Sequence, residues 1–167
     1  MPLAMKIVKN WTQCWRIILV DVLVRLSDVR AMPVRAHATD AGADLFSMNT
    51  LDIYPGETAL IDTGVCVKIP VGYVGLVYNR SSQGKKHIVI PHSVGVIDSD
   101  YRGIIKVLLT NQGEDPYNIT RLDTRIAQLV ITPILLPVFK GWANTEKWDD
   151  TERSAGGFGS TNNKGNK

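Results

Sequence analysis

Cysteine is nearly missing from this chain. Of 167 residues only Cys14 and Cys66 carry a thiol, so at most one bridge can form. No C-x-x-C pair and no cysteine framework exist, which fits a reducing compartment. His37, His87 and His92 show no ligand-like spacing among themselves or with the cysteines, which argues against zinc. Long apolar runs are lacking too. Ile17-Ile18-Leu19-Val20 is interrupted by Asp21 and followed by Arg25, well short of the ~20 residues that a membrane helix needs. There is no acidic tail and no long basic run; a net charge of +3 favours a small polyanion as much as nucleic acid, and a general nucleic-acid binder would need a larger basic face. Also absent are a Gly-Lys-Ser/Thr phosphate loop, a dinucleotide fingerprint, a Gly-x-Ser-x-Gly elbow and any Ser-His-Asp order. Helical periodicity is almost nil.

What is present is a succession of short β-branched runs. They occupy residues 16–26, 58–61, 65–69, 73–78, 87–90, 104–110 and 126–131. Pro33, Pro55-Gly56, Pro70, Gly72, Gly84, Pro91, Gly113, Pro116, Pro133 and Pro137 separate them. In Val65-Cys66-Val67-Lys68-Ile69 the odd positions are expected to share one face. This pattern predicts an all-β sandwich or barrel. The length suits one domain with a core that needs no staples. The expected organisation is an N-terminal extension at 1–18, a β-barrel domain at 19–150 and a glycine-rich mobile arm at 151–167. Residues 1–20 carry Lys6, Lys9 and Arg16 and no acid, so a weak targeting segment is the other reading of that end. An intracellular, cytoplasmic place is expected, with organellar or nuclear sites left open.

Five polar islands interrupt the apolar pattern. In Gly95-Val96-Ile97-Asp98-Ser99-Asp100-Tyr101-Arg102-Gly103, a hairpin is expected, with one strand ending at Asp98 and another leaving from Gly103. Val96 and Ile97 are expected to screen Asp98 from water, which makes a carboxylate a better general base. Tyr101 offers a flat face to a ring or sugar. The plain alternative is that Asp98, Ser99 and Asp100 only form the turn.

Ahead of it, Ala36-His37-Ala38-Thr39-Asp40-Ala41-Gly42-Ala43-Asp44-Leu45 sets two carboxylates on small residues. Asp44 could hold a hard cation through water; alternatively Asp40 caps a turn and Asp44 opens a strand. Asn79-Arg80-Ser81-Ser82-Gln83-Gly84-Lys85-Lys86 offers an arginine, two hydroxyls and backbone N–H groups to a phosphate, or is merely a helix start with a solvated lysine pair. In Thr124-Arg125-Ile126-Ala127-Gln128-Leu129, Arg125 and Gln128 interrupt an apolar strand, which suggests buried hydrogen-bond partners, for example at a subunit interface. Last comes Arg153-Ser154-Ala155-Gly156-Gly157-Phe158-Gly159-Ser160-Thr161. It is too glycine-rich to pack by itself, and unlike a plain linker it carries an arginine and a ring.

Together and in this order the islands resemble the five motifs of the trimeric dUTP pyrophosphatase (dUTPase) family. The likeness covers roughly residues 22–161, and the joint pattern is far more specific than any one piece. It implies a jelly-roll β-barrel, a homotrimer with three active sites built from more than one chain, and hydrolysis of dUTP to dUMP and pyrophosphate with Mg²⁺. By the same resemblance Asp98 matches the base that activates water against the α-phosphorus, and Tyr101 the ring under deoxyribose. Val96, Ile97 and Lys106 match positions on the uracil side. Arg80, Ser81 and Ser82 match phosphate contacts, Gln128 a phosphate neighbour, and Asp44 the carboxylate that orients magnesium-bound water. Arg153 and Phe158 match the arm's catalytic arginine and uracil-stacking ring; Gly159, Ser160 and Thr161 match its γ-phosphate grip.

Two departures stand out. His92 occupies the place of the family's usual asparagine, which helps read uracil, and Asp123-Thr124 replaces the usual Gly-Asp before Arg125. The alternatives to dUTP hydrolysis are a dCTP deaminase of the same fold, for which Glu114 in its polar turn is a poor acid/base, and a catalytically silent binding or regulatory module. No stable nucleic-acid or membrane partner is expected.

Overall fold

A computed structural model describes residues 19–142, 149, 151 and 153–156. They belong to two compact units, divided between Leu135 and Leu136. In the first unit the strands are β1 (Leu23–Leu26), β2 (Ala43–Phe46), β3 (Leu51–Ile53), β4 (Thr58–Asp62), β5 (Val65–Lys68) and β6 (Tyr73–Tyr78). After a single helical turn, α1 (Ser81–Gly84), come β7 (Ile88–Val89), β8 (Gly95–Ile97), β9 (Lys106–Asn111), β10 (Tyr117–Ile119) and β11 (Arg125–Pro133). The architecture is the all-β, jelly-roll-like one expected, and every ladder among the described residues is antiparallel. The sheets run β1-β5, β10-β3, β2-β11-β6-β8 and β4-β9-β7. Among the described residues no helix is long and apolar enough to cross a membrane.

The core draws on all four sheets. Leu45, Ile53, Ile61, Ile88, Ile105, Leu109, Ile119 and Ile126 are fully buried, each such side chain contributing about 1.5–3 kcal/mol by leaving water. Tight turns close the strands: Gly56 and Gly64 take φ of 82° and 68°, the left-handed region in which a Cβ is penalised. Cys66 is a buried free thiol, and Cys14 lies outside the described residues.

The structure corrects two expectations, the start of the first strand and the Asp98 hairpin, and adds two features. Among the described residues the first strand begins at Leu23, well after residue 16. In β5 the odd positions Val65 and Val67 are buried as expected, and Cys66 between them is buried too, so both faces are covered there. The short strands β3 and β10 escaped notice because Asp52 and Asn118 break their apolar pattern; they pair with each other, and Asn118 Nδ2 donates to Asp52 Oδ1 at 2.7 Å. The expected hairpin is not a two-stranded ladder. β8 pairs with β6, whereas β9 pairs with β4 and β7, so the Asp98 loop crosses from one sheet to another.

One buried amide ties that second sheet to its neighbours. Asn111 at the end of β9 is fully buried. Its Nδ2 donates to the Ile53 and Asp115 carbonyls, each at 2.8 Å, and its Oδ1 accepts from the Gly113 N–H at 2.9 Å. Asn111→Ala strands these groups away from water, and a loss of about 1–3 kcal/mol in unfolding free energy is expected, read as a lower denaturant midpoint at unchanged slope.

Candidate active site

The phosphate-type island is delivered by the end of β6. Arg80 stands at the N-cap position of α1 in extended conformation, with φ −91° and ψ 142°. Its carbonyl accepts from the Gln83 and Gly84 N–H groups at 3.0 and 3.1 Å, so the turn starts where the sequence suggests. Amides in a first helical turn lie out of reach of that helix's own carbonyls, which leaves the Ser81 and Ser82 region suited to an anion. The Arg80 side chain turns back onto β2. Nε donates to Asp44 Oδ1 at 2.8 Å and Nη2 to Asp44 Oδ2 at 3.3 Å, while Nη1 reaches Ser82 Oγ at 3.3 Å.

Arg125 joins the same carboxylate, its Nη1 donating to Asp44 Oδ2 at 3.2 Å, and its guanidinium lies 5.8 Å from the centre of the Phe46 ring. Arg125 and Gln128 are three residues apart, so an unbroken strand would aim them to opposite faces. A register shift between Arg125 and Ala127 supplies the extra residue, and a bulge of this kind re-aims side chains. Gln128 then sits across the ladder from Asp44 and donates from Nε2 to the Asn79 carbonyl at 2.9 Å. The partners expected for this island therefore exist within one chain. For Gln128 the bond is half-buried; for Arg125 it is exposed.

Arg80, Ser82, Gln83, Lys86, Tyr117, Asp123, Thr124 and Arg125 enclose a cleft of about 230 Å³. Ser81 is exposed beside it without lining it. Lys86, exposed to solvent, also lies 5.8 Å over the Tyr117 ring, a contact that no local pattern in the sequence shows. Asp40, by contrast, has the plain role of a cap: Oδ2 accepts from the His37 N–H at 2.9 Å. That bond holds its carboxyl below the usual carboxylate range.

A second cleft of about 230 Å³ lies against β8, lined by Val77, Ile90, His92, Gly95, Val96, Ile97, Lys106 and Val107. It brings together four residues singled out in the sequence: His92, Val96, Ile97 and Lys106. The loop that follows is cinched by its own groups. The Tyr101 N–H donates to the Asp98 carbonyl at 3.1 Å, Tyr101 Oη to the Ile104 carbonyl at 2.9 Å, and Arg102 Nη1 to the Ser99 and Tyr101 carbonyls at 2.7 and 2.8 Å. Screening of Asp98 by its neighbours is not found. Asp98 is exposed and Val96 is 58% exposed, as befits β8, an edge strand of its sheet.

The two clefts share no lining residue, and the strand ladders explain why. β2 and β8 are opposite edges of one four-stranded sheet. Asp44 is level with Tyr78 through Gln128, whereas Asp98 follows Ile97, which is level with Gly75. Three strand spacings and a four-residue offset, at roughly 4.8 Å and 3.3 Å each, put the two carboxylates on the order of 20 Å apart. That is longer than a triphosphate chain.

In the second unit, Arg153 Nε donates to the Gly156 carbonyl at 2.9 Å and the Gly156 N–H donates back to the Arg153 carbonyl at 3.0 Å. Phe158, Gly159, Ser160 and Thr161 lie outside the described residues. Among the described residues no three histidine, cysteine, aspartate or glutamate side chains gather as a metal cage. Asp44 Oδ1 takes one hydrogen bond, from Arg80, and so keeps a lone pair for a water molecule on a hydrated cation.

Antiparallel sheets with a cationic, hydroxyl-bearing cleft at one edge and a base-sized cleft beside an exposed carboxylate at the other define a nucleotide-handling all-β protein. A family model described as dUTPase matches residues 29–162. The deoxyuridine 5'-triphosphate nucleotidohydrolase of Cutibacterium acnes is 47% identical over 145 residues, which is 84% of this chain and 92% of that protein. That of Escherichia phage T5 is 41% identical over 138 residues, 82% and 88% of the two chains. Among solved structures, a mutant dUTPase of Staphylococcus bacteriophage 80alpha with dUpNHpp superposes with a TM-score of 0.72 at 35% identity, covering 84% of this chain and 98% of its own. A mutant dUTPase from phage phi11 of S. aureus, described with a structural Mg(II) ion, does so at 0.67 and 35%, covering 74% and 97%. This chain belongs to the dUTPase family.

The Tyr101 ring owes its place to Gly103. A Cβ on Gly103 would lie 2.5 Å from Tyr101 Oη and 2.6 Å from its Cζ. Gly103→Ala must therefore push the phenol aside. Misplacement of that size costs about a hundredfold in turnover, and a drop of that order in kcat/KM for dUTP is expected with the thermal midpoint nearly unchanged.

Proposed function

We propose that this chain hydrolyses dUTP to dUMP and pyrophosphate in a site assembled between copies, with Asp98 as the general base. The observation that carries the reading is the separation of the two clefts. Asp98, Tyr101 and the base-sized cleft stand at the β8 edge, and Arg80, Ser82 and Arg125 at the β2 edge, too far apart to grip one nucleotide within one chain. A second copy can bring its β2 edge to the first copy's β8 edge, and a closed ring of three makes three such sites. The exposure of Asp98 in the single chain is consistent with this, since the covering groups then come from substrate and partner.

The residues supply what triphosphate hydrolysis needs, namely a base, an aligned water and positive groups where charge gathers. Asp98 takes the proton from the water that attacks the α-phosphorus, and pyrophosphate leaves. Tyr101 supports the deoxyribose from below and, held to the Ile104 carbonyl, leaves no room for a 2′-hydroxyl. The cleft of Val96, Ile97, His92 and Lys106 receives the uracil. On the family's pattern the hairpin leaves no room for a methyl at C5, and cytosine is disfavoured because its amino group sets a donor where the site expects an acceptor. Arg80, with Ser81 and Ser82 at the helix start, neighbours the phosphates, together with Arg125 and Gln128. On the family's pattern the arm's part is one cation, Arg153, for the phosphates, a γ-phosphate grip from Gly159, Ser160 and Thr161, and a ring, Phe158, for the base.

Mg²⁺ fits this donor set as an ion held mainly by the phosphates and by water, with Asp44 Oδ1 orienting one of those waters; when bound it neutralises charge on the triphosphate. The domain limits we assign are 19–150 for the catalytic barrel and 151–167 for the arm.

Pyrophosphate release from a panel of dUTP, dTTP, dCTP and UTP with Mg²⁺ tests the assignment, with dUTP expected to be turned over far faster than the rest. Asp98→Asn is expected to lower kcat by about 10²–10⁴ while leaving binding of a non-hydrolysable dUTP analogue measurable by calorimetry. Undiminished turnover would remove Asp98 from the role of base.

A further inference from the structure

We infer that Arg102 is a positioning residue for Asp98: one guanidinium nitrogen clasps the turn behind the carboxylate and so fixes where the base points. The inference rests on the function proposed above, since it takes Asp98 as the base, and it gives Arg102 no contact with substrate.

The need for such a clasp comes from the topology. β8 ends at Ile97, still paired with β6, and β9 opens at Lys106 in a different sheet. Neither ladder runs through residues 98–104. The far end of the loop regains an anchor at Ile105, which is fully buried and whose N–H donates to the Val65 carbonyl at 2.8 Å. Asp98 itself is exposed, so core packing does not hold its side chain. Its direction is set by the backbone on its two sides. On one side that is β8; on the other it is the Ser99 peptide.

Arg102 holds that peptide. Its Nη1 donates to the Ser99 carbonyl at 2.7 Å and to the Tyr101 carbonyl at 2.8 Å. A guanidinium Nη carries two hydrogens, one for each carbonyl, and charged donors make short bonds of this kind. The clasp ties residue 99 to residue 101 across Asp100. It tightens the turn that the Tyr101 N–H closes by donating to the Asp98 carbonyl at 3.1 Å. The Tyr101 ring has anchors of its own, in the bond from Oη to the Ile104 carbonyl at 2.9 Å and in its close approach to Gly103. Loss of the clasp is therefore felt at the Asp98 end.

A general base acts only within hydrogen-bond reach of the water it deprotonates, and a misplacement of about 1 Å can cost ~10²-fold in rate. Arg102→Met keeps the apolar stem and removes the donors. Its kcat for dUTP is expected to fall about 10- to 100-fold. Dissociation constants of a non-hydrolysable dUTP analogue and of dUMP, measured by calorimetry, are expected to move by less than about threefold, as for an interaction that matters to the chemical step. Arg102→Lys again sets several hydrogens on one nitrogen and is expected to recover most of the lost turnover. Added to Asp98→Asn, Arg102→Met is expected to cost little more, because the group it positions is already gone.

Four results would overturn the inference and leave dUTP hydrolysis standing: unchanged kcat in Arg102→Met, equal losses in Arg102→Lys and Arg102→Met, a loss that multiplies with that of Asp98→Asn, or weaker binding of the dUTP analogue with dUMP unaffected. The last would make Arg102 a phosphate contact. Full turnover in Asp98→Asn alone would instead remove the assigned base, and this inference with it.

Discussion

The carboxylate of Asp44 lies between two guanidinium groups, and one side of the protein is arranged around that contact. Arg80 arrives from the end of β6, Arg125 from the start of β11, and Asp44 itself from β2, whose backbone is pinned on its outer edge by paired hydrogen bonds with Val34 of 2.8 and 3.2 Å. The Asp44 side chain is 16% exposed and that of Arg80 24%. Hydrogen bonds to charged groups in such half-buried places are worth about 1.5–3 kcal/mol, more than an exposed pair. The same bonds that join three elements also fix Arg80 in the phosphate-type cleft. The arginine head is pre-positioned there, and little conformational freedom is left to lose on binding an anion.

Sheet geometry then decides what one chain can and cannot do. A four-stranded sheet with the arginine cluster at one edge and the base cleft at the other holds the two halves apart by a rigid ladder. β8 is an edge strand, and edge strands leave hydrogen-bonding groups and side chains open to a partner. Exposed Asp98, Val96 and Tyr101 make sense on an edge that another copy covers. In the assembly we propose, association and catalysis are a single physical problem, since one contact between copies would both cover the β8 edge and bring the arginines to Asp98.

Much of this was legible in the sequence because strand chemistry is local. Val/Ile-rich runs bounded by Gly and Pro locate β4, β5, β6, β9 and β11 to within a few residues, and the order of the polar islands points to the dUTPase family. What was not legible depended on pairing. Nothing between Asp98 and Gly103 tells that β8 and β9 part into separate sheets, since a sharp polar turn reads the same in both cases. The bulge near Ile126, which lets Arg125 and Gln128 serve one cluster, leaves no mark in composition. Screening of Asp98 by its sequence neighbours is a local expectation, but exposure is set by what packs across an edge, and Asp98 follows an edge strand and is exposed. The ion pairs of Asp44 with Arg80 and Arg125 span 36 and 81 residues of chain and lie beyond any local pattern.

The central claim is that Asp98 of one copy works with Arg80 of another. Asp98→Asn and Arg80→Ala chains, each inactive alone, can be unfolded together and refolded as mixed assemblies. Random mixing in a ring of three leaves about a quarter of the sites with an intact Asp98 from one chain and an intact Arg80 from the next, so dUTP turnover is expected to return to about that share of the unaltered enzyme's. A refolded mixture no more active than its two components would contradict the account.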